Sequence, residues 1–196
     1  MTATPSCDEY QQLVDGIREC RLSKAGLVGS YRTADCERGH ELRDLALRGR
    51  GAYLGGEPGV GKTYAAACAV RLWVERSIGE TSTNTARFDQ VARLLDEARQ
   101  GYDGGDREVM RRAARYELLV LDDLGAERPT EWAMEELTAL LDERTSRGLP
   151  TIVTSNYRLG ELRDRWGGVP GKRLASRIAG ACDVIEVTGP DRRLHA

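Results

Sequence analysis

Residues Gly56-Glu57-Pro58-Gly59-Val60-Gly61-Lys62-Thr63 match G-x-x-x-x-G-K-[ST] at every fixed position. The apolar run Gly51-Ala52-Tyr53-Leu54-Gly55 precedes them, and the Ala-rich segment from Tyr64 to Val74 follows. The first reads as a buried strand; the second reads as a helix, because alanine loses least on becoming helical. A strand that turns through glycines straight into a helix leaves few folds open. Such a loop aims successive backbone N–H groups inward, and glycine permits both the turn and the close approach. The positive end of the following helix adds to the same field, so the loop suits a polyphosphate. The expected nucleotide-binding residues are Gly56, Glu57, Pro58, Gly59, Val60, Gly61, Lys62, Thr63 and Tyr64. Lys62 supplies a point charge for the β- and γ-phosphates of ATP, and the Thr63 hydroxyl a ligand for Mg²⁺.

A second stretch carries the complementary chemistry. Leu118-Leu119-Val120-Leu121 runs into Asp122-Asp123. An apolar run of this length reads as a buried parallel strand, and its carboxylates fall at the end where open α/β sheets bind ligands. Asp122 is placed to hold the Mg²⁺ shell. Asp123 either polarises a water for in-line attack on the γ-phosphate or caps the turn before Gly125. A third strand, Thr151 to Thr154, ends at Ser155-Asn156, and Asn156 is placed to orient that water. Arg173 and Arg177 lie four apart on one helix face. They are either solvated charges or the source of the arginine that a neighbouring subunit lends to ATP hydrolysis. Arg192 and Arg193 either reach the nucleotide or form a tail.

The remaining pattern alternates between the two periods. A strand is expected near Thr83 to Phe88 and a helix from Gln90 to Gln100, with Val91, Leu94, Leu95 and Ala98 inward. Gly101 to Asp106 breaks the chain, and a basic helix from Arg107 to Arg115 follows. Thr130 can cap a helix from Glu131 to Ser146. Helices Leu159 to Trp166 and Gly171 to Ile178 lead to a last strand, Cys182 to Val187. Strands alternating with helices imply an α/β fold, a parallel sheet flanked by helices on both faces. Ahead of it lies a short helical lead-in. Its first helix carries the stripe Tyr10, Leu13, Val14, Ile17, and its second, Glu41 to Arg48, offers Leu42, Leu45 and Leu47. The expected division is a helical N-terminal segment over 1–48, available to a partner, and an ATPase domain over 49–196.

Composition narrows the partners. A net charge of −2 excludes a grossly basic nucleic-acid binder and leaves local basic patches open. Absence of an 18-residue apolar run and of a signal-peptide pattern in Met1 to Ser6 predicts a cytoplasmic chain without membrane contact. Five cysteines, an odd and scattered set, argue against a disulfide framework. Cys36 and His40 are spaced C-x₃-H, with Cys7 and Cys20 upstream. Without a C-x₂-C knuckle, free thiols are the expectation rather than zinc.

Taken in order, these motifs resemble the AAA+ ATPases of the DnaC-type helicase-loader and IstB-type transposition-helper group. The resemblance runs from about Gly26 to Arg193. It rests on Gly55 to Thr63, Leu118 to Gly125 with Glu127-Arg128, the helix opening Thr130-Glu131-Trp132-Ala133, Thr151 to Asn156, and Arg173 to Ile178. The closing Gly189-Pro190-Asp191-Arg192-Arg193 is similar to the group's G-x-D-x-R. The resemblance implies a P-loop NTPase fold in which Asp122 is the metal-linked carboxylate and Asp123 the catalytic one. It makes Asn156 the first sensor, Arg193 the second, and Arg177 the finger acting in trans, with Arg173 the alternative. It also implies self-association into an ATP-dependent spiral or ring, and binding of single-stranded DNA and a replicative helicase. The DNA contact would fall on the helix bearing Arg107, Arg111, Arg112 and Arg115. Because the chain stops just after Arg193, a helical lid is expected to be absent or minimal. Two readings follow: a helicase loader, or a transposition helper remodelling duplex DNA. A nucleotide-gated adaptor with negligible turnover is a third class, and intact Asp122, Asp123 and Asn156 argue against it.

Overall fold

A computed structural model describes residues 6–76, 78, 85–102 and 108–192. Among the described residues five strands form one sheet: β1 (Gly51–Gly55), β2 (Ala86–Gln90), β3 (Leu118–Asp122), β4 (Thr151–Ser155) and β5 (Cys182–Glu186). Their spatial order is β2-β3-β4-β1-β5, and every neighbouring pair is parallel. Every residue of β1, β3 and β4 is buried. That is why these strands read as unbroken apolar runs, whereas the edge strand β5 alternates.

Eight helices cover the sheet among the described residues: α1 (Cys7–Lys24), α2 (Glu37–Leu47), α3 (Lys62–Arg76), α4 (Val91–Tyr102), α5 (Val109–Ala113), α6 (Glu131–Ser146), α7 (Leu159–Trp166) and α8 (Gly168–Ala181). Strand side chains alternate between two cores, as the two-residue period requires. Ala52, Leu54, Leu118, Val120 and Ile152 pack with α2 and α3. Tyr53, Leu119, Leu121 and Val153 pack with α4 to α8. The helices that follow β1 and β4 therefore lie on opposite faces, which opens a crevice at the carboxyl ends of these neighbouring strands.

The lead-in belongs to the first core. Leu22, Ala25, Leu27, Ala34, Leu42 and Ala46 all pack there. Phe88 N–H on β2 donates to the Ala25 carbonyl at 2.7 Å. Gly26 passes so close that a Cβ would sit 2.5 Å from the Phe88 carbonyl oxygen. α2 starts at Glu37, four residues ahead of the expected Glu41, and turns Leu42 and Ala46 inward on one face. Leu47 is left 43% exposed. The start of α1 is held by a Ser6–Glu9 capping box. Only its C-terminal end is buried: Tyr10, Leu13 and Ile17 remain 57%, 60% and 38% exposed.

Two further boundaries shift for physical reasons. β2 runs on to Gln90 because Asp89, though buried, is paired by Arg87 and Arg93 at 2.9 Å each. α8 begins at Gly168, after Gly167 turns the chain with φ 61°. Thr130 caps α6, its hydroxyl accepting from Ala133 N–H at 3.2 Å. The expected breaker at 103–106 and Arg107 lie outside the described residues, as do 83–84 of the expected second strand. No helix among the described residues is long and apolar enough to cross a membrane.

One side chain on α6 has no signature in the sequence. Arg144 is fully buried. Its guanidinium donates to Thr151 Oγ1 (2.8 Å) and to the carbonyls of Ala113 (2.9 Å), Tyr116 (2.7 Å) and Pro150 (2.6 Å). Burial pushes its pKa down to about 10.

Candidate functional site

The crevice is a cleft of about 880 Å³. That volume lies within the range of small-molecule sites. Gly59, Gly61, Lys62, Thr63, Tyr64, Asp122, Asp123 and Asn156 all line it. Glu57 and Pro58 form the exposed tip of the loop, and Val60 is buried beneath it.

The loop holds its shape through glycines where no other residue fits. Gly59 and Gly61 have φ of 81° and 96°. A Cβ on Gly59 would meet the Asp191 carboxylate at 1.9 Å. That proximity shows that the chain after β5 returns across the loop, as the closing G-x-D-x-R pattern leads one to expect. Val187 N–H donates to the Gly55 carbonyl at 2.8 Å, and Arg192 N–H to the Gly59 carbonyl at 3.0 Å. Arg192 lines the cleft. Arg193 lies outside the described residues.

Lys62 opens α3 and turns back over the loop. Its Nζ donates to the carbonyls of Gly56 (2.8 Å) and Glu57 (2.7 Å) and to Asn156 Oδ1 (3.0 Å). Asn156 in turn donates through Nδ2 to Asp123 Oδ1 at 2.9 Å. A lysine, an amide and a carboxylate from three separate elements thus form one chain of hydrogen bonds. Asp123 sits at φ 60°, a left-handed conformation that a non-glycine residue rarely adopts.

A buried threonine on β4, which no motif singles out, ties the Asp122 carboxylate to the Asp123 backbone. Thr154 Oγ1 donates to Asp122 Oδ1 at 2.7 Å and accepts from Asp123 N–H at 3.0 Å. Behind it, Ser155 Oγ donates to the Leu124 carbonyl at 2.6 Å, and Tyr53 Oη to the Tyr157 carbonyl at 2.8 Å. These bonds stitch the tips of β1, β3 and β4 together.

Burial pushes the Asp122 carboxyl above its ordinary pKa, and hydrogen bonds from Thr154 and Thr63 pull against it. A carboxylate and a hydroxyl oxygen that converge on a cleft, the carboxylate paying desolvation, form a fitting pair for a hard divalent cation. Thr63 and Asp122 are therefore the residues able to hold Mg²⁺. Glu127, whose carboxylate accepts from Gly125 N–H at 2.8 Å, is also pushed up by burial. It lies behind Asp123, and the like charge of Asp123 adds to the upward shift.

The arginines of α8 stand apart. Arg177 Nε donates to Asp142 of α6 at 2.9 Å. Arg173 lines a groove with Glu131, Glu135 and Asp142 of α6. Neither is among the residues lining the cleft of its own chain. On α5, Arg111 and Arg112 are exposed, as is Arg115 just beyond it, and Arg111 pairs with Glu108 at 2.8 Å.

Comparison with known proteins accords with this architecture. The chain is 31% identical over 155 residues to the replicative helicase loader DnaI of Bacillus subtilis (strain 168), covering 74% of this chain and 48% of that protein. It is 30% identical over 168 residues to the putative ATP-binding protein Rv3427c in insertion sequence of Mycobacterium tuberculosis (strain ATCC 25618 / H37Rv), covering 79% of this chain and 62% of that one. It thus spans about half to three-fifths of the length of these relatives. The crystal structure of DnaI superposes with a TM-score of 0.65 at 27% identity, covering 91% of this chain and 93% of that one. The family described as IstB-like ATP binding protein matches residues 33–196. With a P-loop at the crevice of a five-stranded parallel sheet, the chain belongs to this family of ATP-binding AAA+ proteins, related both to helicase loaders and to insertion-sequence ATP-binding proteins.

Proposed function

We propose that this chain is a Mg²⁺-dependent ATPase that loads a replicative helicase onto single-stranded DNA. The hydrogen-bond chain Lys62–Asn156–Asp123 carries the reading. It puts a phosphate-neutralising charge and a proton-accepting carboxylate at opposite ends of one amide, inside a cleft of nucleotide size. In this reading Gly56 to Tyr64 cradle the phosphates of ATP, and Arg192, which lines the cleft, reaches them; Arg193 is proposed as the second sensor. Thr63 and Asp122 hold the ion, which when bound neutralises phosphate charge. Asp123 takes the proton of the attacking water, Asn156 orients that water, and Thr154 fixes the Asp122 carboxylate and the Asp123 backbone.

Arg177 completes the site of the next subunit. Its position outside its own cleft supports that role. Subunits joined head to tail through it form an open spiral or ring. Arg177→Ala should retain ATP binding and lose roughly 10³–10⁵-fold in turnover. Mixing it with Lys62→Ala should restore hydrolysis, because the intact Arg177 of one variant serves the intact P-loop of the other. No restoration at concentrations that assemble the unaltered chain means that Arg177 acts within its own subunit or only holds the fold, and makes Arg173 the next residue to test.

The likeness to DnaI, a replicative helicase loader, supports a replicative helicase as partner. The likeness to an insertion-sequence ATP-binding protein favours a second reading, a transposition helper acting on duplex DNA. Capture experiments separate them. Immobilised chain with ATP is offered a hexameric replicative helicase on single-stranded DNA and, separately, a transposase on duplex DNA. Retention of the helicase alone supports loading; retention of the transposase alone replaces it with the second reading.

A further inference from the structure

We propose that Asp35, His40 and Cys68 form a zinc site in the wall beside the nucleotide cleft. Their ligand atoms all lie within 4.8 Å of one another. His40 Nε2 is 2.8 Å from Asp35 Oδ1, and Cys68 Sγ is 3.9 Å from the same oxygen. An imidazole nitrogen, a carboxylate oxygen and a thiol sulfur are the three donor types that zinc takes, at roughly 2.0–2.3 Å each. Donors around one ion then stand about 3–4 Å apart, so only small movements separate this cluster from a closed site.

The fold supplies the rigidity. His40 is in the first turns of α2 and Cys68 is on α3. The two helices touch so closely that a Cβ on Gly39 would sit 2.3 Å from Cys68 Sγ. The third donor, Asp35, is exposed and has room to adjust. The C-x₃-H spacing of Cys36 and His40 therefore identifies the right region with the wrong thiol. Cys36 caps α2 with its backbone, and its carbonyl is 3.8 Å from Cys68 Sγ. Cys7 and Cys20 are exposed on α1 and lie outside the cluster.

One cation competes for the site. Arg71 Nη2 lies 3.3 Å from Asp35 Oδ1. Arg71 also donates to the Ala34 carbonyl at 2.6 Å and to Glu75 at 2.5 Å, so it keeps its place without Asp35. The Asp35 carboxylate and a Cys68 thiolate match the charge of a divalent ion beside a neutral His40. Binding releases the thiol proton to solvent and changes no oxidation state. Three protein ligands leave one position for water. Asp35 and Cys36 line the nucleotide cleft, and Asp35 N–H donates to Tyr64 Oη at 3.1 Å. The ion would brace that wall.

The test uses the full chain without nucleotide. Zinc is titrated against a colorimetric chelator, and Co²⁺ serves as the spectroscopic probe. The expected result is one ion per chain and a thiolate-to-cobalt charge-transfer band. Cys68→Ser should abolish the band. Asp35→Asn, at an exposed side chain that the core does not need, should weaken zinc by at least the roughly tenfold that loss of even an outer partner brings. Cys36→Ser, Cys20→Ser and Lys62→Ala should leave the stoichiometry unchanged, the last separating this site from the P-loop. Absence of zinc binding, unaltered affinity in Asp35→Asn and His40→Ala, or a band that survives Cys68→Ser would each overturn the proposal.

Discussion

β4 carries a buried threonine at each end, and the two serve opposite ends of the sheet. Thr151, where the strand begins, accepts from Arg144. Thr154, near its carboxyl end, bonds to both Asp122 and Asp123. Each end has a buried charged side chain, Arg144 at one and Asp122 at the other. At the Arg144 end the guanidinium is committed to three carbonyls and one hydroxyl, all inside the protein. At the Asp122 end the carboxylates face a cleft and keep oxygens available for a cation and a water. Buried charge closed on backbone oxygens ties elements together; buried charge that opens on a cleft has capacity left for chemistry.

The sharpest way to break this contrast is Asp123→Asn. Turnover should fall roughly 10²–10⁴-fold, the scale of a missing general base, while ATP affinity and thermal midpoint hold. Steady-state hydrolysis and binding of a fluorescent nucleotide read the two separately. Equal loss of binding would move Asp123 into the architectural class.

Arg144→Met probes the other end. It strands several buried acceptors at about 1–3 kcal/mol each, so urea unfolding should show a loss of roughly 3 kcal/mol or more. Turnover per folded molecule should hold. A fall in turnover without a fall in stability would mean that the closed end communicates with the cleft.

Thr154→Val keeps the shape of the side chain and removes both hydrogen bonds. A loss of roughly 10–100-fold in kcat is expected, as for a partner that orients a metal-linked ligand, with KM for ATP nearly unchanged. Restoration by Thr154→Ser would establish the hydroxyl as the operative group. A change confined to unfolding would make Thr154 the counterpart of Thr151.

The smallest effect belongs to the exposed face of α5, on the outside of the backbone that Arg144 holds at Ala113 and Tyr116. Arg111→Ala with Arg115→Ala, on and just after α5, should flatten the salt dependence of single-stranded DNA binding. The slope of log K against log salt should drop by about 0.7 for each phosphate no longer neutralised. An unchanged slope sends the DNA to another face.

Much of the site was legible because its residues sit at fixed distances along the chain. Gly56 to Thr63 needs only its own loop, and Asp122 only the strand that ends in it. Asn156 could be placed because it follows the next apolar run. Thr154 could not be singled out: its importance arises from β3 lying beside β4 in a register that pairs Leu121 with Val153. Arg144 was equally opaque. An arginine four residues before Gly148 reads as a solvated helix end, and only the convergence of 113, 116, 150 and 151 makes a buried cage for it.

The amino-acid sequence by itself determined the period of each element, the strand–loop–helix that binds phosphate, and the placing of two carboxylates at a strand end. These follow from local geometry: side-chain alternation, glycine's access to positive φ, and the free N–H groups of a helix start. Tertiary structure decided what those elements share. It brought Lys62, Asn156 and Asp123 into one hydrogen-bond chain and folded Asp191 and Arg192 back over Gly59. It also set Cys68 rather than Cys36 beside Asp35 and His40. The reason is physical: a hydrogen bond or a ligand set acts over about 3 Å, and residues separated by tens of positions reach that distance only after strand order and helix packing are chosen.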